Sequence, residues 1–353
     1  MLILKKTQSL LFIFLFFNCF LKAQTEIRVF DTTNNVYSDY ILVLTDSLSI
    51  QTSISSKYNK FEISTKPDDE SEVRALKYHP NEKTSLGFGF NYKWLGFSFG
   101  LSLPFLNRDE DKFGKTEQFD FQTNIYLRKF VIDAYVQGYK GYYVENPKDI
   151  DPNWTEEKAY PHRDDISTAA AGFSFCVVKN YQKFSYKSVF TQTEVQKKSA
   201  GSWLYGGFFS AFVLNADSSI IGFSNYYDFN DTSKIENAVI INGGASFGYA
   251  HTFILKKKYY LSFTFLPGIA FQKSSIKAEG ISDIIYKKGP NARIQGRVAA
   301  GYFGLKNYWG LSVVTDNFIF DNSTTTQLKY TLGNVKFFFG HWFNAEKIKQ
   351  KIF

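Results

Sequence analysis

Alternation of apolar and polar residues is the feature that most constrains how this chain can fold. Residues 96–103 read Gly, Phe, Ser, Phe, Gly, Leu, Ser and Leu, so an apolar side chain stands at every second position. A period of two places these side chains on one face of an extended strand and their neighbours on the other face. The pattern recurs along the chain and predicts an all-β fold built from antiparallel strands.

The polar faces of the predicted strands indicate which side of the sheet is buried. These faces are rich in Gly, Ser and Ala, and many of the strands are long. A soluble β-sandwich would instead use strands of about five or six residues with charged outer faces. Aromatic residues make up 19% of the chain, yet the mean hydropathy is −0.23, because alternating membrane strands hide apolar residues among polar ones. We therefore predict a transmembrane antiparallel up-and-down β-barrel whose apolar side faces lipid.

The chain length sets the expected number of strands. About 330 mature residues, at roughly 24 per strand and connection, give about 14 strands, or about 12 if the first short hairpin lies outside the wall. That hairpin combines two alternating pieces, 48–55 and 60–64, around a turn at Tyr58-Asn59. The polar segment 66–83 has the composition of a loop.

Three later segments carry specific expectations. Residues 183–190 alternate and are predicted to form a strand, with aromatic residues outward and Lys183 and Lys187 inward. Residues 203–214 are apolar on both faces, so the alternation does not assign their orientation. Gly138 and Gly141, near the end of a predicted strand, indicate relief of crowding or a β-bulge.

The N-terminal segment has an export pattern. Lys5 and Lys6 precede the apolar stretch 10–17, and the small residue Ala23 follows, as in a secretory signal peptide. The expected location is therefore the outer membrane of a Gram-negative bacterium, with outer-membrane lipid as a partner. We expect a cleaved signal peptide over 1–23, a periplasmic lead-in over 24–45, the outer-membrane barrel over 46–343 and a C-terminal tail over 344–353.

Charged residues of both signs fall on the inward face of the predicted strands. If they pair across the lumen they would plug it, and if they stay apart they would line a narrow aqueous path. The sequence leaves both alternatives open. The set comprises Asp120, Arg128, Asp133, Lys183, Lys187, Arg293 and Arg297.

The sequence contains few patterns that indicate a catalytic, metal or cofactor site. The four histidines have no metal-binding spacing, and no glycine-rich phosphate loop occurs, so no metal or cofactor is expected. The formal net charge of +8 is spread along the chain, and no nucleic-acid partner is expected. His162 precedes carboxylates and could act as an acid or base, but no nucleophile is identifiable. His251 falls on an apolar face, which suits a ring at the membrane interface and leaves catalysis as an alternative.

Several short motifs follow one another in a distinctive order. They include Tyr78-His79-Pro80-Asn81, Ser102-Leu103-Pro104-Phe105, Gln137-Gly138-Tyr139-Lys140-Gly141-Tyr142-Tyr143, Gly201-Ser202-Trp203-Leu204-Tyr205-Gly206-Gly207 and Leu266-Pro267-Gly268. In this order they resemble a family of exported Bacteroidota proteins known as domain of unknown function 4421. The resemblance covers nearly the whole mature chain and implies an outer-membrane location without an established activity, so no catalytic residues are transferred.

The resemblance to outer-membrane barrels also predicts a role for Phe343. Outer-membrane barrels generally end in an aromatic residue that the barrel assembly machinery reads, and Phe343 closes the aromatic run 336–343. We therefore expect Phe343 to be the assembly signal and the assembly machinery to be a partner during biogenesis. The chain departs from that pattern because it continues to Phe353.

Two classes of function are compatible with the sequence. The first is a non-enzymatic outer-membrane barrel, either a narrow pore or a structural barrel that interacts with a partner through its loops. The alternative is a lipid-modifying barrel enzyme that uses His162 or His251. Acyl chemistry needs a nucleophile and a base in contact, which the sequence does not show, so the first class is favoured; the solute or protein partner stays unknown.

Overall fold

A computed structural model describes residues 39–44, 47–65, 75–92, 95–102, 109–222, 233–321 and 326–343. The expected signal peptide over 1–23 and the tail over 344–353 lie outside the described residues. No helix in the described ranges is long and apolar enough to cross a membrane.

Strands dominate the described chain. Short helices α1 (Glu110–Phe113) and α2 (Tyr186–Phe190) and a single 3-10 turn (Pro147–Asp149) lie in the connections. The strands are β1 (Ile41–Val43), β2 (Leu48–Thr65), β3 (Ala75–His79), β4 (Ser85–Tyr92), β5 (Leu95–Ser102), β6 (Glu117–Tyr126), β7 (Phe130–Val144), β8 (His162–Val178), β9 (Glu194–Gln196), β10 (Ala200–Asn215), β11 (Ile235–Leu255), β12 (Tyr259–Ala278), β13 (Ile285–Phe303), β14 (Asn307–Asp321) and β15 (Thr326–Phe343).

Ten of these strands close into a ring. Their order is β15-β14-β13-β12-β11-β10-β8-β7-β3-β2, and an antiparallel ladder from Thr326↔Thr65 to Phe343↔Leu48 joins β15 back to β2. Outside that path, β4 pairs with β2, β5 with β4 and β6 with β7, while β1 and β9 form a separate two-stranded sheet. The all-β antiparallel barrel is therefore confirmed, whereas the number of 14 wall strands is not. We call the end at Thr65 and Val144 the upper end, and the end at Leu48 and Phe343 the lower end.

The two faces of the wall have inverted polarity compared with a soluble protein. On β12, Phe265 points outward and is 55% exposed, while the neighbouring Thr264 points inward and is 5% exposed. A soluble fold would bury the phenylalanine, because apolar area is the part of a side chain that gains most from leaving water. Outward apolar residues of this kind form an outer apolar belt, which includes Ile54, Phe90, Phe121, Phe173, Phe209, Phe247, Phe263, Phe265, Val298, Leu311, Val335 and Phe337.

The predicted first hairpin is wrong. β2 runs without interruption through Tyr58-Asn59, where a turn was expected. Both residues have partners on other strands: the Tyr58 hydroxyl donates to the Val314 carbonyl at 3.0 Å, and Asn59 Nδ2 donates to the Tyr330 hydroxyl at 2.7 Å. These cross-strand contacts outweigh the local preference of asparagine for a turn.

The predicted loop over 66–83 contains a strand. β3 pairs with β2 on one side and with β7 on the other, and so completes the ring at the upper end. Leu76 and Tyr78 are fully buried, and the rings of Tyr78 and Phe61 stack with centroids 4.8 Å apart. Five residues are too short a run for alternation to distinguish a strand from a polar loop.

The predicted strand over 183–190 is also wrong, because this segment lies in the connection between β8 and β10 and contains α2. Ser185 caps the helix, since its side chain accepts a hydrogen bond from the Ser188 N–H. Tyr186 and Val189 are buried at i and i+3, which is the spacing of a helix face. Lys183 and Lys187 are consequently not on a wall strand.

The structure assigns the orientation of β10, which the alternation left open, and it shows the bulge near Gly141. On β10, Trp203 and Phe209 point outward and Phe208 and Phe212 point inward, because the upper lumen accepts apolar side chains. The bulge expected near Gly141 is confirmed by a register shift between Lys140 and Tyr142. Gly141 has φ of +90°, and a Cβ atom there would lie 2.1 Å from the Lys115 carbonyl oxygen, so only glycine fits.

Candidate functional site: an occluded lumen

An aromatic layer closes the upper part of the lumen. Phe212 lies on β10 and Tyr330 on β15, which are five strands apart in either direction around the ring. The centroids of their two rings are only 4.5 Å apart. Side chains from opposite walls are therefore in contact at this level, which we call the upper layer. Phe61, Tyr78, Tyr142, Phe212, Phe318, Phe320 and Tyr330 belong to the same buried cluster.

A polar network lies beneath the upper layer. The Asp120 carboxylate accepts hydrogen bonds from Lys57 Nζ at 2.9 Å, Gln137 Nε2 at 2.7 Å and the Tyr139 hydroxyl at 2.7 Å. These donors come from β2 and β7, so Asp120 on β6 joins two wall strands from inside. Charge-assisted bonds of this kind are stronger than bonds between neutral groups, and they join β2, β6 and β7 on one side of the lumen.

A second layer closes the lumen lower down through charged residues. Arg297 on β13 donates from Nη2 to Asp133 on β7, again from the opposite wall, and from Nη1 to the Tyr126 hydroxyl at 2.6 Å. Its guanidinium lies 5.7–5.8 Å from the ring centroids of Tyr126, Tyr186 and Phe190. Arg297 is 3% exposed, so this is a buried ion pair supported by aromatic faces. We call it the lower layer.

The second arginine forms a pair within the wall. Arg293 Nε and Nη2 both donate to the carboxylate of Asp316 on the neighbouring strand, in the bidentate arrangement typical of arginine. Its guanidinium also lies over the Phe208 ring, 4.5 Å from the centroid. Both arginine pairs line a cavity of about 40 Å³, which has room for a few water molecules.

The connection between β8 and β10, residues 179–199, enters the lower end of the barrel. We call it the inserted segment. The Tyr186 hydroxyl is 2.8 Å from Thr264 Oγ1 on the inner face of β12, and Trp342 Nε1 donates to the Gln192 carbonyl at 3.0 Å. The segment therefore extends from the lower layer, to which Tyr186 and Phe190 belong, to the lower end of the lumen, and it contacts β12 and β15.

One buried carboxylate anchors the inserted segment. Glu194 is 1% exposed and accepts a hydrogen bond from the Ser185 hydroxyl at 2.5 Å. Arg128 Nε lies 3.4 Å and Lys187 Nζ 3.9 Å from its Oε1 atom. Two of the predicted lumen charges thus meet at the lower end, whereas Lys183 is exposed and lies over the Tyr40 ring, 5.3 Å from its centroid. Its prediction as a lumen charge is wrong, because the chain there is not a strand.

The wall has a joint between β3 and β4, which both pair with β2 in nearly the same register. In the joint, Glu82 Oε1 lies 3.6 Å from His79 Nε2, and the Glu82 side chain is 14% exposed. The His79 side chain is 17% exposed, so the two groups form a largely buried pair within the wall.

The two candidate catalytic histidines lie in different environments. His162 is exposed at the start of β8, and its Nδ1 atom is 3.4 Å from the Tyr160 carbonyl. His251 lies on the outer face, with Nδ1 at 3.2 Å from the Tyr249 hydroxyl and its ring 4.3 Å from that of Phe253. Neither of these contacts supplies the serine or cysteine nucleophile that acyl transfer uses. In the described ranges, no group of three or more His, Cys, Asp or Glu side chains is placed to hold a metal ion.

Sequence reasoning missed several residues of the lumen. Lys57 fell near the predicted turn, and Glu194 lies in a short strand outside the ring. Continued alternation from Gln51 would have placed Lys57 inward. No local pattern could have identified Glu194, because its role depends on how the inserted segment folds. Phe343, the predicted assembly signal, is the last residue of β15 and is 44% exposed on the outer face.

Comparisons with solved structures find outer-membrane proteins at low similarity. The outer membrane protease OmpT from Escherichia coli aligns with 85% of this chain and 98% of its own, at 10% identity and a TM-score of 0.35. The toluene transporter TodX of P. putida aligns with 88% of this chain and 92% of its own, at 7% identity and a TM-score of 0.24. No curated protein matches the chain.

The family comparison gives a clear assignment. A family profile matches residues 31–343, which include every described strand. The chain therefore belongs to the family described as Domain of unknown function (DUF4421).

Proposed function

We propose that this protein is an outer-membrane barrel with an occluded lumen, which acts as a structural or interaction scaffold and does not conduct solutes. The outer apolar belt supports a membrane location, because a closed barrel satisfies its backbone hydrogen bonds and can expose apolar side chains to lipid. The cleaved signal peptide, the strand number of 14 and the Bacteroidota origin stay predictions from the sequence.

One observation carries the choice of a scaffold over a pore: side chains from opposite walls touch at two heights. Phe212 contacts Tyr330 in the upper layer, and Arg297 pairs with Asp133 in the lower layer. The inserted segment supplies Tyr186 and Phe190 to the lower layer and extends the obstruction to the lower end. An open pore needs a continuous water-filled path, and these contacts interrupt it.

Conductance in planar lipid bilayers tests this proposal. The full chain, purified in detergent and inserted into the bilayer, should give no discrete current steps, while a general porin in the same detergent provides the positive control. A Phe212→Ala variant should also stay silent, because the lower layer and the inserted segment still close the lumen. Reproducible current steps from the unmodified protein would show that it is a pore.

A washed envelope fraction tests the membrane location separately. The protein should sediment with outer membranes after a high-salt wash and should enter solution only with detergent. Recovery in the soluble fraction would refute the membrane location whatever the conductance result.

The lipid-modifying enzyme is the second candidate, and His251 is its better site because the residue lies on the outer face. Lipids extracted from outer membranes that contain the wild-type protein or a His251→Ala variant should have the same mass spectrum if the scaffold proposal is correct. A lipid species lost in the variant would support the enzyme.

A further inference from the structure

The upper end of the outer face carries a charged recess of about 250 Å³. It spans the three neighbouring strands β15, β2 and β3 and reaches the end of β7. The ladder pairs Lys329 with Glu62 and Glu62 with Lys77, and the Glu145 N–H donates to the Lys77 carbonyl at 2.9 Å. The lining residues, which define the outer recess, are Lys60, Phe61, Glu62, Lys77, Glu145, Lys329 and Thr331.

Alternation shows that the polar residues of the outer recess point away from the lumen. On β2, Phe61 and Ile63 are buried in the lumen cluster, so Lys60 and Glu62 lie on the opposite face. On β15, Leu328 is buried in the same cluster, which places Lys329 outside. These charges are therefore separate from the ion pairs of the occluded lumen.

The recess lies just above the outer apolar belt. Below it on β2, Tyr58 covers Gly333 on β15, since a Cβ atom at Gly333 would lie 2.1 Å from the Tyr58 ring. Lys60 is two residues above Tyr58, or about 7 Å along the strand. A headgroup layer is roughly 5–8 Å thick on each side of the hydrocarbon, and tyrosine rings are enriched at its lower boundary. The recess is therefore at headgroup height if the barrel is embedded as proposed.

The charges of the recess suit an anion. Three ammonium groups and two carboxylates give a net charge of +1 from these five residues. Within the described chain, no carboxylate lies within 4 Å of the Lys60, Lys77 or Lys329 ammonium groups. All three are half-buried, so their charges are only partly screened by water. A phosphate group in the recess could accept hydrogen bonds from several ammonium groups at once.

The expected periplasmic lead-in precedes Leu48 at the lower end, so the upper end faces the outer leaflet. We propose that the outer recess binds the phosphate-bearing headgroup of a lipid in that leaflet. Lys60, Lys77 and Lys329 neutralise the phosphate, and the acyl chains lie along the outer apolar belt below Tyr58. Glu62 and Glu145 keep the net charge low, which favours a single phosphate over a polyanion. This inference rests on the proposed membrane location, because a lipid reaches the recess only from the bilayer.

Native mass spectrometry of the full chain in detergent tests the inference. The probes are a phosphorylated lipid A-type glycolipid, the same glycolipid after enzymatic dephosphorylation, and inorganic phosphate. The wild-type protein should retain the phosphorylated glycolipid, and a Lys60→Gln/Lys77→Gln/Lys329→Gln variant should lose it. Each lysine near a charged membrane surface contributes about a fivefold change in affinity, so each single variant should bind about fivefold more weakly.

A matched control keeps the charge change constant. Lys273→Gln/Lys277→Gln/Lys288→Gln removes three exposed lysines from the upper parts of β12 and β13 and should bind the glycolipid as the wild type does. Equal retention by the wild type and the recess variant would overturn the proposal. Equal binding of the dephosphorylated glycolipid, or displacement of the glycolipid by millimolar inorganic phosphate, would overturn it as well.

Folding and location are checked independently of binding. Heat-dependent migration on gels shows whether each variant forms a barrel, and the single variants replace the triple variant if that one fails to fold. A protein that is soluble without detergent would refute the membrane location. A membrane-embedded barrel that binds the glycolipid equally with and without its phosphate would refute only the proposed binding in the outer recess.

Discussion

The upper and lower layers close the same lumen with different chemistry. In the upper layer Phe212 packs against Tyr330 from the opposite wall of the barrel, and the side chains around this pair are aromatic or aliphatic. In the lower layer Arg297 reaches Asp133 across an equal number of strands and is surrounded by aromatic rings. The upper layer gains from burial of apolar area, whereas the lower layer depends on each charge keeping its partner.

This difference predicts unequal sensitivity to substitution. A smaller apolar side chain buries less area and leaves a cavity, but the other side chains of the upper layer keep their contacts. A buried charge that loses its partner carries the full cost of its removal from water. The lower layer should therefore be the more fragile of the two, although it contains the stronger individual contacts.

Asp133→Ala should give the largest effect. The substitution leaves Arg297, which is 3% exposed, without its carboxylate, and the free energy of unfolding should fall by about 3–5 kcal/mol. Urea titration of the protein in detergent micelles, followed by tryptophan fluorescence, measures the change. The matched control is Glu117→Ala, which removes a 69% exposed partner of Lys115 and should cost about 0–1 kcal/mol. Similar costs for the two variants would mean that the lower layer is not a buried ion pair.

Phe212→Leu should give the smallest effect. Leucine keeps an apolar side chain in the upper layer but removes part of the contact with Tyr330, so the free energy of unfolding should fall by about 1–2 kcal/mol. Phe209→Leu is the matched control, because Phe209 lies on the same strand and is 53% exposed on the outer face. A larger loss for Phe212→Leu than for Asp133→Ala would reverse the comparison between the layers.

Local patterns predicted the orientation of side chains better than the boundaries of strands. Alternation placed Asp120, Asp133, Arg293 and Arg297 on the inner face, where the structure also has them. The same reasoning made a strand of 183–190, because Phe184, Tyr186 and Phe190 alternate with polar residues over a short run. The helix is set by the Ser185 cap and by burial of Tyr186 in the lumen, and both depend on contacts beyond the segment.

Alternation along the chain is enough to give the strands one apolar and one small or polar face, because the period of two is a property of the extended backbone. Which charges meet depends on the folded barrel, since Arg297 and Asp133 are 164 residues apart and become partners only when ten strands close into a ring. The tertiary structure also decided that the lumen is filled, because contact between opposite walls depends on the number of strands and on the inserted segment. The alternation within a single strand specifies neither the number of strands in the ring nor the fold of the inserted segment.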